Sequence, residues 1–91
     1  MTPTEYAEHL RKIAAFAETH GIVPFGATVG RVHFTPIVHL DADDLRRIFA
    51  GHTATIAVEY GHRRMTLEAD GCVFVAHLGS EPVAGPVEVV L

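Results

Sequence analysis

Apolar side chains recur every three or four residues at the start of the chain, at Tyr6, Leu10, Ile13, Phe16 and Ala17. That spacing puts them along one side of a helix and predicts an amphipathic helix over "TPTEYAEHLRKIAAFAETHG". Both of its ends are marked. Thr2 can cap it, Pro3 suits the first helical position, and Glu5 closes a capping box with Thr2. Gly21 can adopt the left-handed conformation that stops a helix, and "IVPFG" reads as the turn that follows.

From about Val29 to Leu40 the period falls to two. Val32, Phe34, Val38 and Leu40 share one face, while Arg31, His33, Thr35, Ile37 and His39 share the other, as in a half-buried strand. Pro36 lies on the apolar face and has no N–H for a ladder, so this strand is expected at a sheet edge or with a bulge. A bulge would exchange the faces beyond Pro36 and leave the side of His39 open. "DADDLRRIFAG" then predicts a second, short helix. Asp41 is its N-cap, Asp43 and Asp44 sit at the positive end of its dipole, Leu45, Ile48 and Phe49 form its stripe, and Gly51 terminates it.

The remainder predicts a meander with a register. "TATIAVEY" places Ala54, Ile56, Val58 and Tyr60 on one face. Gly61-His62 fits a two-residue turn, and Asp70-Gly71 is a strong type I′ signal. Those turns would pair Tyr60 with Arg63, Val58 with Met65, Ile56 with Leu67, Ala69 with Cys72, Leu67 with Phe74 and Met65 with Ala76. On the opposite face Glu59 meets Arg64, and Arg64 meets His77. A slip of one residue in either turn would put apolar side chains against polar ones. "GSEPVAGP" reads as a loop, and "VEVVL" as a short final strand able to pair within the chain or across a dimer.

The connection through the second helix is about twelve residues, long enough to favour parallel pairing of the strand before it with one meander strand. The expected fold is α+β: a two-layer sandwich with two helices on one face of a mostly antiparallel sheet of four to five strands. The element order is α-β-α-β-β-β with a possible C-terminal strand.

Composition adds limits. A chain of 91 residues fits a single domain over 1–91 with one modest core. Hydrophobic residues make up 48% and charged residues 20% of the chain, as in a folded globule. A net charge of −4 gives no strong attraction to nucleic acid or anionic membrane. The polar, amphipathic opening is unlike a signal peptide, and no apolar run approaches a membrane span. Six arginines stand beside one lysine and twelve alanines, with no Asn, Gln or Trp, a bias typical of GC-rich coding.

Seven histidines are the most conspicuous chemistry. "HFTPIVH" separates His33 from His39 by roughly 20 Å on a straight strand, too far to share one metal ion. His62 falls in a turn, His77 opposite Arg64, His9 and His20 on the first helix, and His52 after the second. No two histidines are spaced H-x-H or H-x-x-x-H, and no metal or other cofactor is expected. Cys72, the single cysteine, belongs to the core face and is expected to act as a small hydrophobe. Gly26 and Gly30 lack the context of a phosphate loop, and Asp41, Asp43 and Asp44 lack the remaining ligands of a calcium loop. The pairs Arg11-Lys12, Arg46-Arg47 and Arg63-Arg64 are dispersed and diluted by acids, unlike a nucleic-acid surface.

The sheet face away from the helices is more suggestive. Ile37, Ala57, Val73 and Val75 form an uncharged centre there, with Thr55, Thr66, Glu59 and Arg64 around it, the composition of an association surface. "EYAEHLRKIAAFAETHGIVPFG", the alternating strand after it, and "LDADDLRRIFA" also resemble small uncharacterised α+β proteins of actinobacteria and their phages. The likeness covers the first half of the chain. It implies a bacterial or phage cytoplasmic setting and carries over no known activity. The expected function is a non-enzymatic module that self-associates or binds a protein through the open sheet face or the C-terminal strand. The alternative is a small-ligand or metal-binding protein with histidines brought together between subunits.

Overall fold

The computed structural model describes residues 1–29, 35–79 and 85–91. Its first helix, α1 (Pro3–His20), is closed at both ends by local chemistry. Thr2 Oγ1 accepts the Glu5 N–H at 3.1 Å, and the Thr2 N–H donates to the Glu5 carboxylate at 3.4 Å. At the other end Gly21 takes φ 62°, and the N–H groups of Gly21 and Ile22 reach the carbonyls of Glu18 and Ala17. This double bond pattern satisfies carbonyls that a helix end otherwise leaves unpaired.

The segment expected as one strand from Val29 to Leu40 is instead half of a reversal. Strand β1 (Gly26–Thr28) pairs antiparallel with β2 (Ile37–Leu40), Thr28 opposite Ile37 and Gly26 opposite His39. Arg31, Val32, His33 and Phe34 lie outside the described residues, and with them the distance argument from His33. Pro36 is buried immediately before β2, and its carbonyl accepts the Val73 N–H at 2.8 Å. A proline there needs no N–H of its own, so β2 runs inside the sheet rather than at its edge. No exchange of faces follows Pro36: Val38 and Leu40 are buried, and Ile37 and His39 point the other way.

Asp41 accepts the Asp43 N–H at 3.0 Å and starts α2 (Ala42–Ile48), which ends at Phe49. Then come β3 (Thr53–Glu59), β4 (His62–Ala69), β5 (Cys72–Gly79) and β6 (Val87–Val90). The fold is α+β, with a six-stranded sheet in the order β1-β2-β5-β4-β3-β6, larger than the four to five strands expected. The sheet is mixed: β2 pairs with β5 in parallel, and the other ladders are antiparallel. The extra strand is β1, three residues with no alternation long enough to announce it. β2 and β3 therefore run in the same direction, and the α2 connection carries the chain past β5 and β4.

The 70–71 turn has the expected form. Asp70 and Gly71 take φ 52° and 74°, and Ala69–Cys72, Leu67–Phe74 and Met65–Ala76 face each other. The earlier turn is displaced. Tyr60 and Gly61, not Gly61 and His62, carry the positive φ values, 53° and 77°. Glu59 therefore faces His62, and Ile56 faces Met65 rather than Leu67. The displacement is two residues along the partner strand, an even number, so every side chain keeps its assigned face. Tyr60 itself moves out of the ladder and into solvent.

Both helices lie on the face carrying Val38, Leu40, Ala54, Met65, Leu67, Cys72, Phe74 and Ala76. Three rings join the layers. Phe74 of β5 lies 4.7 Å from Phe16 of α1 and 4.7 Å from Phe49 at the end of α2. Phe16 and Phe49 stack at 6.0 Å, 11° from parallel. No residue of α1 is fully buried, so the long helix is held mainly through Ile13 and Phe16.

Candidate functional site on the open sheet face

The face away from the helices is set by the ladder registers. Ile37 lies beside Val73 and His39 beside Val75, across β2 and β5. Val75 faces Thr66, which faces Thr55, across β5, β4 and β3. Ala57 faces Arg64 on β3 and β4. The six residues expected to form an interaction surface thus share this face in two groups, Ile37–Val73–Val75 and Ala57–Glu59–Arg64. Ile37, Ala57 and Val73 are half-buried and Glu59 is exposed. Val75 is only 4% exposed, so its side chain is already shielded within the chain and offers a partner little area.

Charge concentrates at one end of the face. Arg64 is expected opposite Glu59 but stands diagonal to it, and its Nη1 reaches the Glu59 carboxylate at 3.4 Å. Its guanidinium carbon lies 6.0 Å from the centre of the Tyr60 ring. Arg64 also stands opposite His77 in the β4–β5 ladder, as the sequence suggests. Next to it β5 carries an irregularity: Arg63 pairs with Gly79, and the Arg63 guanidinium donates to the Leu78 carbonyl at 3.3 Å.

The histidines assemble here in a way their spacing does not reveal. The rings of His39 and His77 lie 5.9 Å apart and 11° from parallel. His62, the first residue of β4 rather than a turn residue, sets its ring edge-on to His77 at 6.4 Å. Three strands therefore contribute His39, His62, His77 and Arg64 to one patch. His39 is held below the ordinary imidazole pKa of 6.5, first by burial, then by the Arg64 charge and by His77. Among the described residues no group of three or more His, Cys, Asp or Glu is arranged to hold a metal ion.

On the opposite side, Cys72 is buried on the core face at the floor of a cleft lined by Lys12, Phe16, His20 and Asp70. Burial raises its thiol pKa, Lys12 opposes that and Asp70 adds to it. A protonated, shielded thiol is a weak nucleophile. A second, apolar cleft lies at the start of α1 between Pro3, Tyr6 and Val29.

No protein-family model, curated protein or solved structure matches this chain. No helix among the described residues is long and apolar enough to cross a membrane.

Proposed function

We propose that the protein is a small non-enzymatic binding module that associates with a second copy of itself, or with a protein partner, along the β6 edge of its sheet. The observation that carries this reading is the state of β6. It pairs with β3 on one side, and no described strand covers its other side. Val90 is 74% exposed on the open face, and Val87 49% exposed on the helix face. A strand edge offers a row of unpaired N–H and C=O groups, and exposed valines on both faces give a docked strand something apolar to cover. Two copies meeting through β6 about a two-fold axis would join their sheets into one. The open sheet face is the less favoured surface, because Val75 is already shielded and Arg64 occupies its flank. A bacterial or phage cytoplasm belongs to the same reading and rests on the resemblance of the first half of the chain.

Light scattering on a sizing column tests it. The wild type is expected to form a dimer that Val90→Lys converts to monomer, since a charged edge residue discourages strand pairing. A wild type that stays monomeric at high concentration removes self-association. A dimer that survives Val90→Lys moves the contact away from β6.

A second reading, a small-ligand protein with a histidine-containing site, is favoured by one observation. His39, His62 and His77 gather within a single chain, so no subunit interface is needed to bring them together.

A further inference from the structure

We propose that the open sheet face holds a site for a phosphate-class oxyanion, centred on Arg64 and walled by His39, His77 and His62. The inference is independent of whether the protein associates through β6.

The donors come from three strands. Arg64 presents five N–H donors in a planar fork suited to a tetrahedral oxyanion. Its side chain is 17% exposed and makes one carboxylate contact, a long one of 3.4 Å to the half-exposed Glu59. Its Nε is shielded from solvent with no hydrogen-bond partner among the described residues. The sealed Nε leaves the terminal N–H groups of the guanidinium to meet an incoming anion, and with one long carboxylate contact they keep donors to spare. His77 stands opposite Arg64, and its ring contacts those of His39 and His62. Each imidazole supplies one donor when neutral and two when protonated.

Charge decides between an anion and a metal. A cation entering the patch meets the permanent charge of Arg64, and the imidazoles are not arranged as a ligand set. An anion meets the opposite situation. The charged or titratable groups facing the patch are His39 from β2, His77 from β5, His62 and Arg64 from β4, and Glu59 from β3, with Tyr60 of the β3–β4 turn beside Arg64 and Glu68 farther along β4 on the same face. β1 brings only Gly26 and Thr28 to this face, and both helices lie behind the sheet. Glu59 is the acid that touches Arg64, and its exposure lets it turn aside. Burial first, and then Arg64 and His77, resist protonation of His39. A bound dianion relieves the charge part of that resistance, so anion binding and proton uptake strengthen each other.

The test follows the histidine ring protons by NMR at constant ionic strength, set with sodium chloride. Sulfate stands for a free dianion, and glycerol phosphate for a phosphomonoester. Sulfate keeps its charge over the pH range used, so any pH dependence belongs to the protein. The expected result is a saturating displacement of the His39 and His77 signals. Affinity rises up to about tenfold per unit fall in pH from 7.0 to 5.5 for each proton taken up with the anion. Arg64→Gln lowers the affinity at least tenfold. Because that variant can disturb folding, His77→Asn, at an exposed position, serves as the second: it keeps the fold and weakens the pH dependence. Tighter binding of glycerol phosphate than of sulfate assigns the site to monoesters, and the reverse to free anions. The proposal fails if neither anion displaces His39 and His77 beyond the chloride control. It fails if His9 and His20 on α1 respond equally, or if zinc gives a saturating response at one equivalent and the anions give none. Repeating the titration on Val90→Lys separates this result from the association state.

Discussion

His39 and His77 stack almost in parallel although the β2–β5 ladder sets Val75, not His77, beside His39. The contact is diagonal, and it joins the two strands whose pairing is parallel. His39 sits below its ordinary pKa first because it is buried, and then because Arg64 and His77 stand beside it.

Acid should therefore destabilise the protein through His39. Its folded pKa lies below the unfolded value, so the unfolded chain takes up the proton first. No penalty exists well above pH 6.5. Stability is lost as pH falls from there towards the folded pKa. Urea unfolding at pH 7.5 and 5.5 is expected to show a larger drop for the wild type than for His39→Gln. Equal drops would place the acid sensitivity elsewhere.

Tyr60 holds φ 53° in the turn between β3 and β4, a region costly for an L-residue that is not Asn, Asp or Gly. Relief of the left-handed strain is worth about 1–2 kcal/mol, so Tyr60→Asn should raise stability by about 0.5–1 kcal/mol net of the contact it gives up. That contact, between Arg64 and the Tyr60 ring, is worth about 0.5–1 kcal/mol at an exposed site. Thermal unfolding decides: a lower midpoint would mean that the ring contact outweighs the strain.

Phe74 touches both Phe16 and Phe49. Phe74→Ala is expected to cost about 3–5 kcal/mol, a large share of the stability of a domain this size. Phe16→Ala should cost less, because that ring is only half-buried. Its loss should free α1 first, visible as faster amide exchange in α1 than in β4 or β5. Uniform loss of protection would show that the helix and the sheet unfold as one unit.

The sequence is most legible where structure is local. Asp70-Gly71 dictates its turn and, through it, the facing of Leu67 with Phe74. The turn at 60–61 shows the limit of pattern. Gly61 suits the second position of one two-residue turn and the first of another, and the two registers differ by an even step. Alternation of Ile56, Val58, Met65 and Leu67 is blind to that choice. β1 was hidden by its length, and Pro36 reads as an interruption although it only precedes a strand. The histidine patch was hidden for a different reason. His39 meets His77 through a parallel ladder whose offset no turn fixes, so no local rule could set Val38 beside Phe74. Spacing along the chain treats each histidine alone; the sheet does not.

The path of the chain from β2 over α2 to β3 has a consequence for synthesis. β2 leaves the ribosome with no neighbour for its inner side until β5 has followed it, more than thirty residues later. Until then Val38 and Leu40 lack the strand that flanks them in the fold, and the parallel pairing closes a long loop. Synthesis of Phe74 completes the ring contacts that tie both helices to the sheet.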